Sequence, residues 1–172
     1  MTDAGSPCLI LRPEPLTAAA FAPFGAVLAH DGRRARAVNA GTARRTDLGG
    51  WADRDAGAAP ALALYRLSPQ PLPVPVRLFE RHPGSSQMFA ALTVARFLVV
   101  VAPAGPDGLP DPSRARAFVG GRGDALRYAR DQWHAPIVGL DGEGDMLMLA
   151  FEGGAGHDTI EHRLPVAVLV TD

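Results

Sequence analysis

The sequence predicts an all-β protein built as a barrel or a double-sheet jelly roll. Short apolar runs rich in Val, Leu and Phe recur along the chain, clusters of Pro and Gly separate them, and helical patterns are scarce. The 172 residues fit a single domain spanning residues 1–172, and a 47% hydrophobic composition is enough to bury a core. Barrels of this class often hold small ligands in their mouths.

The strand predictions rest on apolar runs bounded by turn-forming residues. Between the third and fourth runs, four prolines at alternate positions from Pro69 to Pro75 force an extended stretch with few hydrogen-bond donors. In chain order the predicted strands are Leu9–Leu11, Val27–Leu28, Ala61–Leu67, Val76–Glu80, Met88–Leu92, Phe97–Ala102, Ile137–Leu140, Met146–Phe151 and Val166–Val170.

One or two short helices are expected. Thr17 is placed to cap a helix that runs through Phe21, and Asp111 before Pro112 predicts a second helix over Ser113–Val119. The remaining polar segments are predicted as turns and loops. These are the turn at Asp31–Arg34, the irregular segment Asn39–Gly50, the loop Pro103–Pro112 and a polar loop at His157–His162 before the last strand.

Composition excludes several functional classes. All 17 basic residues are Arg, so mechanisms that need an internal lysine, such as a Schiff base or a P-loop, are excluded. A net charge of -1 gives no reason to expect nucleic acid or an anionic membrane as partner. Cys8 has no internal partner and is expected to be a surface thiol. With no signal-peptide pattern and no apolar run near 20 residues, we expect a cytoplasmic protein.

The segment Glu80–Phe89 carries the clearest sign of a site. Glu80 and His82 are two residues apart on a predicted strand and therefore share a face, which Gln87 can join after the turn. Cupin barrels have a first motif of similar form, with two His and a Glu, and a second motif that adds one His. Here the ligand types are exchanged, and His134 in Trp133–Pro136 resembles the His of the second motif.

The chemistry of this set leaves alternatives open. Imidazole and carboxylate suit nickel, zinc, iron or manganese, which makes Glu80, His82, Gln87 and His134 candidate metal ligands, although a Gln carbonyl is a weak one. A metal-free site, in which these groups only hydrogen-bond a substrate, fits the same residues. So do purely structural roles, in which His82 caps a turn, Gln87 satisfies backbone groups and His134 is a core histidine.

Most of the chain resembles the bacterial ureidoglycolate lyases, which have a cupin-type fold. The most specific parts are the Glu-Arg-His-Pro and Trp-His-x-Pro motifs in this order and spacing. The resemblance is carried by Leu16–Gly25, Asn39–Gly41, Arg45, Asp47–Leu48, Glu80–Pro83, Gln87, Phe89, Phe97–Val101, Pro110–Asp111, Arg116–Phe118, Tyr128, Trp133–His134 and Pro136. The chain departs from the family pattern at Gly84, at Ala129 and Ala135, where His is common, and over Gly153–Thr159.

The resemblance implies cleavage of (S)-ureidoglycolate to glyoxylate and urea, late in allantoin and purine degradation. It also implies a homodimer and a divalent metal, with nickel the ion linked to the family. Breaking this carbinolamide needs a base for the hydroxyl proton and an acid for the departing urea nitrogen.

Glu80 is the candidate base, and His82 or His134 the candidate acid. The candidate substrate-binding residues are Asn39, Ser86 and Gln87 for the ureido or carboxylate groups, Arg45 or Arg81 for the carboxylate, and Tyr128. Two other functions fit the same sequence. One is a non-catalytic cupin that binds a small carboxylate such as glyoxylate, as a sensor or partner module. The other is a related enzyme acting on another ureido or hydroxy acid.

Overall fold

The computed structural model describes residues 9–29, 34–48, 53–154 and 158–172. Cys8, most of the predicted turn at Asp31–Arg34, the end of the Asn39–Gly50 segment and His157 lie outside these ranges. The strands are β1 Leu9–Leu11, β2 Glu14–Pro15, β3 Gly25–Val27, β4 Arg36–Val38, β5 Ala43–Arg45, β6 Ala59–Leu67, β7 Val74–Arg81, β8 Gln87–Ala91, β9 Arg96–Ala102, β10 Arg116–Gly121, β11 Ala125–Tyr128, β12 Trp133–His134, β13 Val138–Gly139, β14 Gly144–Glu152 and β15 Ile160–Val170.

The helical content is small. The helix α1 spans Ala18–Phe21, and the Thr17 hydroxyl accepts a hydrogen bond from the Ala20 amide at 3.2 Å, which confirms the predicted cap. Two short 3-10 turns cover Asn39–Gly41 and Pro112–Arg114.

Two sheets make up the body of the fold. The larger has eight strands in the order β1-β15-β7-β12-β9-β10-β2, with β13 paired to β9 beside this path. The smaller has the order β3-β11-β8-β14-β6, and β4 and β5 form a separate hairpin sheet. This is the all-β, double-sheet architecture that the sequence predicts.

Apolar side chains of the two sheets pack against each other and form the core between them. Phe97, Val99 and Val101 of β9 point to one side and pack with side chains of the smaller sheet, among them Phe89 and Met146. The alternate residues of β9 belong to a second core on the opposite face of the larger sheet, around Trp133 and Phe79. Because β9 is buried on both faces, it reads as a continuous apolar run.

Some predictions for local structure were wrong. The helix expected over Ser113–Val119 ends at Arg114, and the following residues form β10, in register with β9 from Arg116 opposite Val101. Asp111 does cap the short turn, accepting a hydrogen bond from the Ser113 amide at 3.0 Å, but the turn ends at Arg114 because pairing with β9 buries Ala117 and Phe118. The last strand begins at Ile160, so Glu161 and His162 lie in β15 rather than in a loop. The strands β2, β4, β11 and β12 were also not predicted, and β5 lies in a segment predicted to be irregular.

Candidate active site

Glu80 lies near the end of β7, and His82 directly follows this strand. Both side chains are on the face that packs against the smaller sheet. His134 reaches them from β12, where it stands directly opposite Glu80 in the antiparallel register. One ligand atom from each of the three side chains lies within 4.8 Å of the other two, and His134 is buried. The fold thus unites the two sequence motifs at one point.

Both histidines are held in one orientation by backbone carbonyls. The Nδ1 atom of His82 lies 2.8 Å from the Asp158 carbonyl oxygen, and that of His134 lies 2.9 Å from the Gln132 carbonyl oxygen. Since a carbonyl only accepts, Nδ1 is the donor in each ring. The Nε2 atoms of both rings are buried and lack a hydrogen-bond partner among the described residues. Fixing Nδ1 in this way leaves Nε2 available as a ligand.

The charge states of this cluster are set by its neighbours. The nearby imidazole of His134 lowers the pKa of Glu80 in spite of its partial burial, so the carboxylate is ionised at neutral pH. The two groups are 3.5 Å apart, between Nε2 of His134 and Oε1 of Glu80. Burial lowers the pKa of His82, with a further lowering from His134, so His82 is neutral at the same pH.

Gln87 and Tyr128 stand on the other side of the cluster, in the smaller sheet. They face each other across the pairing of β8 with β11. The Tyr128 ring is stacked on His134 with centroids 4.0 Å apart and 13° between the planes. Among the described residues, neither the Gln87 Oε1 atom nor the Tyr128 hydroxyl finds a hydrogen-bond partner, although both are buried. The unpaired Gln87 Oε1, close to the two imidazole Nε2 atoms, indicates a place for a bound group.

Two adjoining cavities meet at Glu80. The first, of about 210 Å³, is lined by Tyr65, Glu80, Phe89, His134, Pro136 and Ile137. The second, of about 140 Å³, lies on the His82 side and is more polar, with Ser85, Gln87, Asp158 and Thr159 among its lining residues. We call them the apolar compartment and the polar compartment.

Comparison with known proteins gives the family. The family model described as ureidoglycolate lyase matches residues 8–171. The chain belongs to the ureidoglycolate lyase family. A ureidoglycolate lyase of Burkholderia mallei (strain NCTC 10229) is 41% identical over 160 residues, which is 92% of this chain and 92% of the relative. One from Azotobacter vinelandii (strain DJ / ATCC BAA-1303) is 36% identical over 154 residues, covering 89% and 91% of the two chains.

Likeness among solved structures is weaker. A structure of Bacillus subtilis oxalate decarboxylase, a protein with Mn(II) centres, aligns with a TM-score of 0.38 and 19% identity. The alignment covers 59% of this chain and 23% of that one, and a likeness of this size carries no argument about the site.

Several residues that the sequence suggested for the site do not line the two compartments. Ser86 is fully buried and Tyr128 lies behind His134, and neither lines the two compartments. Arg81 projects to the opposite face of β7, where its guanidinium pairs with Asp131 at 3.0 Å and lies 4.8 Å from the Trp133 ring centroid. Asn39 and Arg45 are exposed on the separate hairpin, with Arg45 paired to Asp47. Their predicted roles toward substrate stay predictions.

One residue that lines the site, Tyr65, was not predicted from the sequence. Tyr65 of β6 lines both compartments, and its ring packs edge-on against Phe89 with centroids 5.4 Å apart. Burial and the charge of Glu80 raise its pKa, so the phenol keeps its proton. The alternation of Ala61, Ala63 and Tyr65 indicates that their side chains share one face of β6. It does not predict which strand lies opposite that face.

The charged side chains of the compartments matter for an anionic substrate. Besides the two histidines, the described residues that line them contribute only acids, namely Glu80, Glu152 and Asp158, and no arginine. A carboxylate entering this space would meet repulsion unless a cation were bound there. The donor set of one carboxylate and two imidazoles fits a divalent transition-metal ion.

The structure describes no helix long and apolar enough to cross a bilayer among the residues it places.

Proposed function

We propose that this protein is a ureidoglycolate lyase that cleaves (S)-ureidoglycolate to glyoxylate and urea, a step of allantoin and purine breakdown. The observation that carries the proposal is the Glu80–His82–His134 cluster in a chain of this family. The departures from the family pattern at Ala129 and Ala135 are compatible with it. Ala129 is exposed, and Ala135 is buried in the second core, on the side of the larger sheet away from the cluster.

Glu80, His82 and His134 would hold a divalent ion, with Gln87 as a further candidate ligand. Four features support this: the short separations within the cluster, the two Nε2 atoms without partners, the unpaired Gln87 Oε1, and the absence of a lining arginine among the described residues. When bound, such an ion supplies a positive charge for the substrate carboxylate and lowers the pKa of the substrate hydroxyl. We propose nickel as the ion, on the strength of the family resemblance alone.

Glu80 is the proposed proton carrier. A carboxylate has two oxygens, so it can contact an ion with one and accept the hydroxyl proton with the other. As that proton leaves, the C–N bond breaks, the hydroxyl carbon becomes the aldehyde of glyoxylate, and the departing nitrogen takes up a proton. We assign the return of the proton to Glu80, because a neutral His82 whose Nδ1 is tied to Asp158 carries no proton at Nε2.

Without a metal, the same geometry supports a different division of roles. The Nε2 atom of His134 lies 3.5 Å from Glu80, so a proton on His134 would make it the acid and leave Glu80 as the base. Metal analysis of the purified protein separates the two mechanisms. One bound divalent ion per chain favours the first, and full activity in metal-free protein favours the second.

The activity itself is tested by mixing purified protein with racemic ureidoglycolate and measuring glyoxylate release. The wild-type protein should consume one enantiomer, and Glu80→Gln and His82→Ala should each lower the rate by about 10²–10⁴. Tight glyoxylate binding without any turnover by the wild-type protein would instead favour the non-catalytic carboxylate-binding module.

We further propose that the protein is a homodimer joined through the outer face of the smaller sheet. Leu62 and Leu64 of the edge strand β6 are each 68% exposed and lie in register with Leu149 and Leu147 of β14, which makes a contiguous leucine patch. An exposed apolar patch is typical of a protein–protein interface, and the same patch on a second copy would cover it. Leu62→Glu with Leu64→Glu should shift the mass measured by light scattering to that of a monomer. Leu92→Glu, another exposed leucine, is the matched control.

A further inference from the structure

Tyr65 occupies a distinctive position in the site. It lies on β6 opposite Met146 of β14, so it points between the sheets while its neighbour Leu64 points outward. Tyr65 and Glu80 are the two described residues that line both the apolar and the polar compartment. With 42% of its surface exposed, Tyr65 stands at the mouth, beside the carboxylate to which we assign the chemistry.

The Tyr65 hydroxyl is also available to bind a ligand. Two other hydroxyls line the polar compartment, but Ser85 donates to the Phe151 carbonyl oxygen at 3.1 Å and Thr159 lies 3.3 Å from Nδ1 of His82. Among the described residues Tyr65 has a ring contact with Phe89 and no hydrogen-bond partner for its hydroxyl. A phenol at neutral pH is a hydrogen-bond donor, in a space whose charged groups are mostly acceptors.

Ureidoglycolate offers three acceptor groups: the carboxylate, the hydroxyl and the ureido carbonyl. In the proposed reaction the hydroxyl and the carboxylate are at the Glu80–His82–His134 cluster, which leaves the ureido carbonyl for a donor nearer the mouth. We propose that the Tyr65 hydroxyl donates a hydrogen bond to the ureido carbonyl oxygen, and that Tyr65 thereby makes the site selective for ureido acids over plain 2-oxo and 2-hydroxy acids. This inference rests on the proposed function.

The test compares Tyr65→Phe with the wild-type protein, because this change removes the hydroxyl and keeps the ring against Phe89. Two ligands are titrated by calorimetry: ureidoacetate, which is ureidoglycolate without its hydroxyl and cannot be cleaved by this route, and glyoxylate, which has no ureido group. Loss of one neutral hydrogen bond should weaken ureidoacetate binding by about 3- to 10-fold. Glyoxylate binding should stay within about twofold. Leu92→Ala, a change at an exposed leucine that lines neither compartment, should leave both unchanged.

Three results would overturn the inference. Equal ureidoacetate affinity in Tyr65→Phe and wild type would show that the hydroxyl makes no such contact. An equal loss for both ligands would place the contact at the carboxylate end. Binding of glyoxylate but not of ureidoacetate by the wild-type protein would show that the site does not recognise a ureido group. A wild-type protein that binds ureidoacetate through Tyr65 but releases no glyoxylate from ureidoglycolate would contradict the proposed function and support the contact.

Discussion

Glu80 and His134 stand opposite each other on adjacent antiparallel strands, with Oε1 of one 3.5 Å from Nε2 of the other. The two residues belong to motifs that are far apart in sequence, and the pairing of β7 with β12 is what brings them together. Because successive side chains of a strand alternate, Arg81, between Glu80 and His82, lies on the far side of β7. The alternation along β7 therefore decides which side chains of the Glu-Arg-His-Pro motif can take part in chemistry.

Tyr128 should act by supporting His134 rather than by touching substrate. Its ring is stacked on His134, while its hydroxyl lines neither compartment and has no described partner. Tyr128→Phe should keep kcat and KM within about twofold and should not lower stability, because it removes an unpaired buried hydroxyl. Tyr128→Leu, which removes the stacked ring, should lower activity by about 10- to 100-fold. A large rise in KM for Tyr128→Phe alone would restore the role in substrate binding.

Arg81 should contribute to stability and not to binding of the substrate carboxylate. Its guanidinium is shared between Asp131 and the Trp133 ring, away from the compartments. Arg81→Gln should lower the free energy of unfolding by about 1 kcal/mol and leave KM for ureidoglycolate within about twofold. Asp131→Asn is the matched control, and its stability loss should be the smaller of the two because it spares the contact with Trp133. A rise in KM with Arg81→Gln but not with Asp131→Asn would contradict this assignment.

The free energy of unfolding of the metal-free protein should fall as the pH drops below the pKa of an ordinary imidazole. Burial lowers the pKa of His82 in the folded state, so the unfolded chain binds a proton first. The contribution of His82 is therefore fully present above the ordinary His pKa of about 6.5 and is lost as pH falls through the lower folded value. The nearby imidazole of His134 lowers the pKa of Glu80, which adds a loss in the same direction at more acidic pH.

This dependence is measured by urea unfolding at a series of pH values in the presence of a chelator. His82→Asn should be less sensitive to pH than the wild-type protein just below the ordinary His range, because the substituted side chain does not titrate. Parallel curves for the two proteins would contradict the assignment of the effect to His82.

Local sequence carried much of the fold. The Thr17 cap and the strands rich in Val, Leu and Phe are signals confined to a few neighbouring residues, and the structure has them where they were predicted. The strand β10 depends on its pairing with β9, and no pattern within Arg116–Gly121 announces that partner. The cap before Pro112 is present, but the helix that it predicted stops after one turn because the next residues pair with β9.

The candidate site shows the same division. Glu80 and His82 could be placed on one face from their spacing alone, and His134 followed from the order of the two motifs. Tyr65 reaches the site from the smaller sheet, and Arg81 pairs with Asp131 in the turn before β12. The residues next to Tyr65 and Arg81 in sequence predict neither contact. Contacts between distant segments decide both.

The most direct test of the central claim, that Glu80, His82 and His134 form one catalytic centre for ureidoglycolate, is a comparison of His134→Ala with His162→Ala. His162 lies in β15 with its ring against Trp133, outside both compartments, and serves as the matched control. Glyoxylate release from ureidoglycolate and bound divalent metal are measured on the same samples. We expect His134→Ala to lose activity by about 10²–10⁴ together with the metal, and His162→Ala to keep both. Near wild-type glyoxylate release by His134→Ala would contradict the claim.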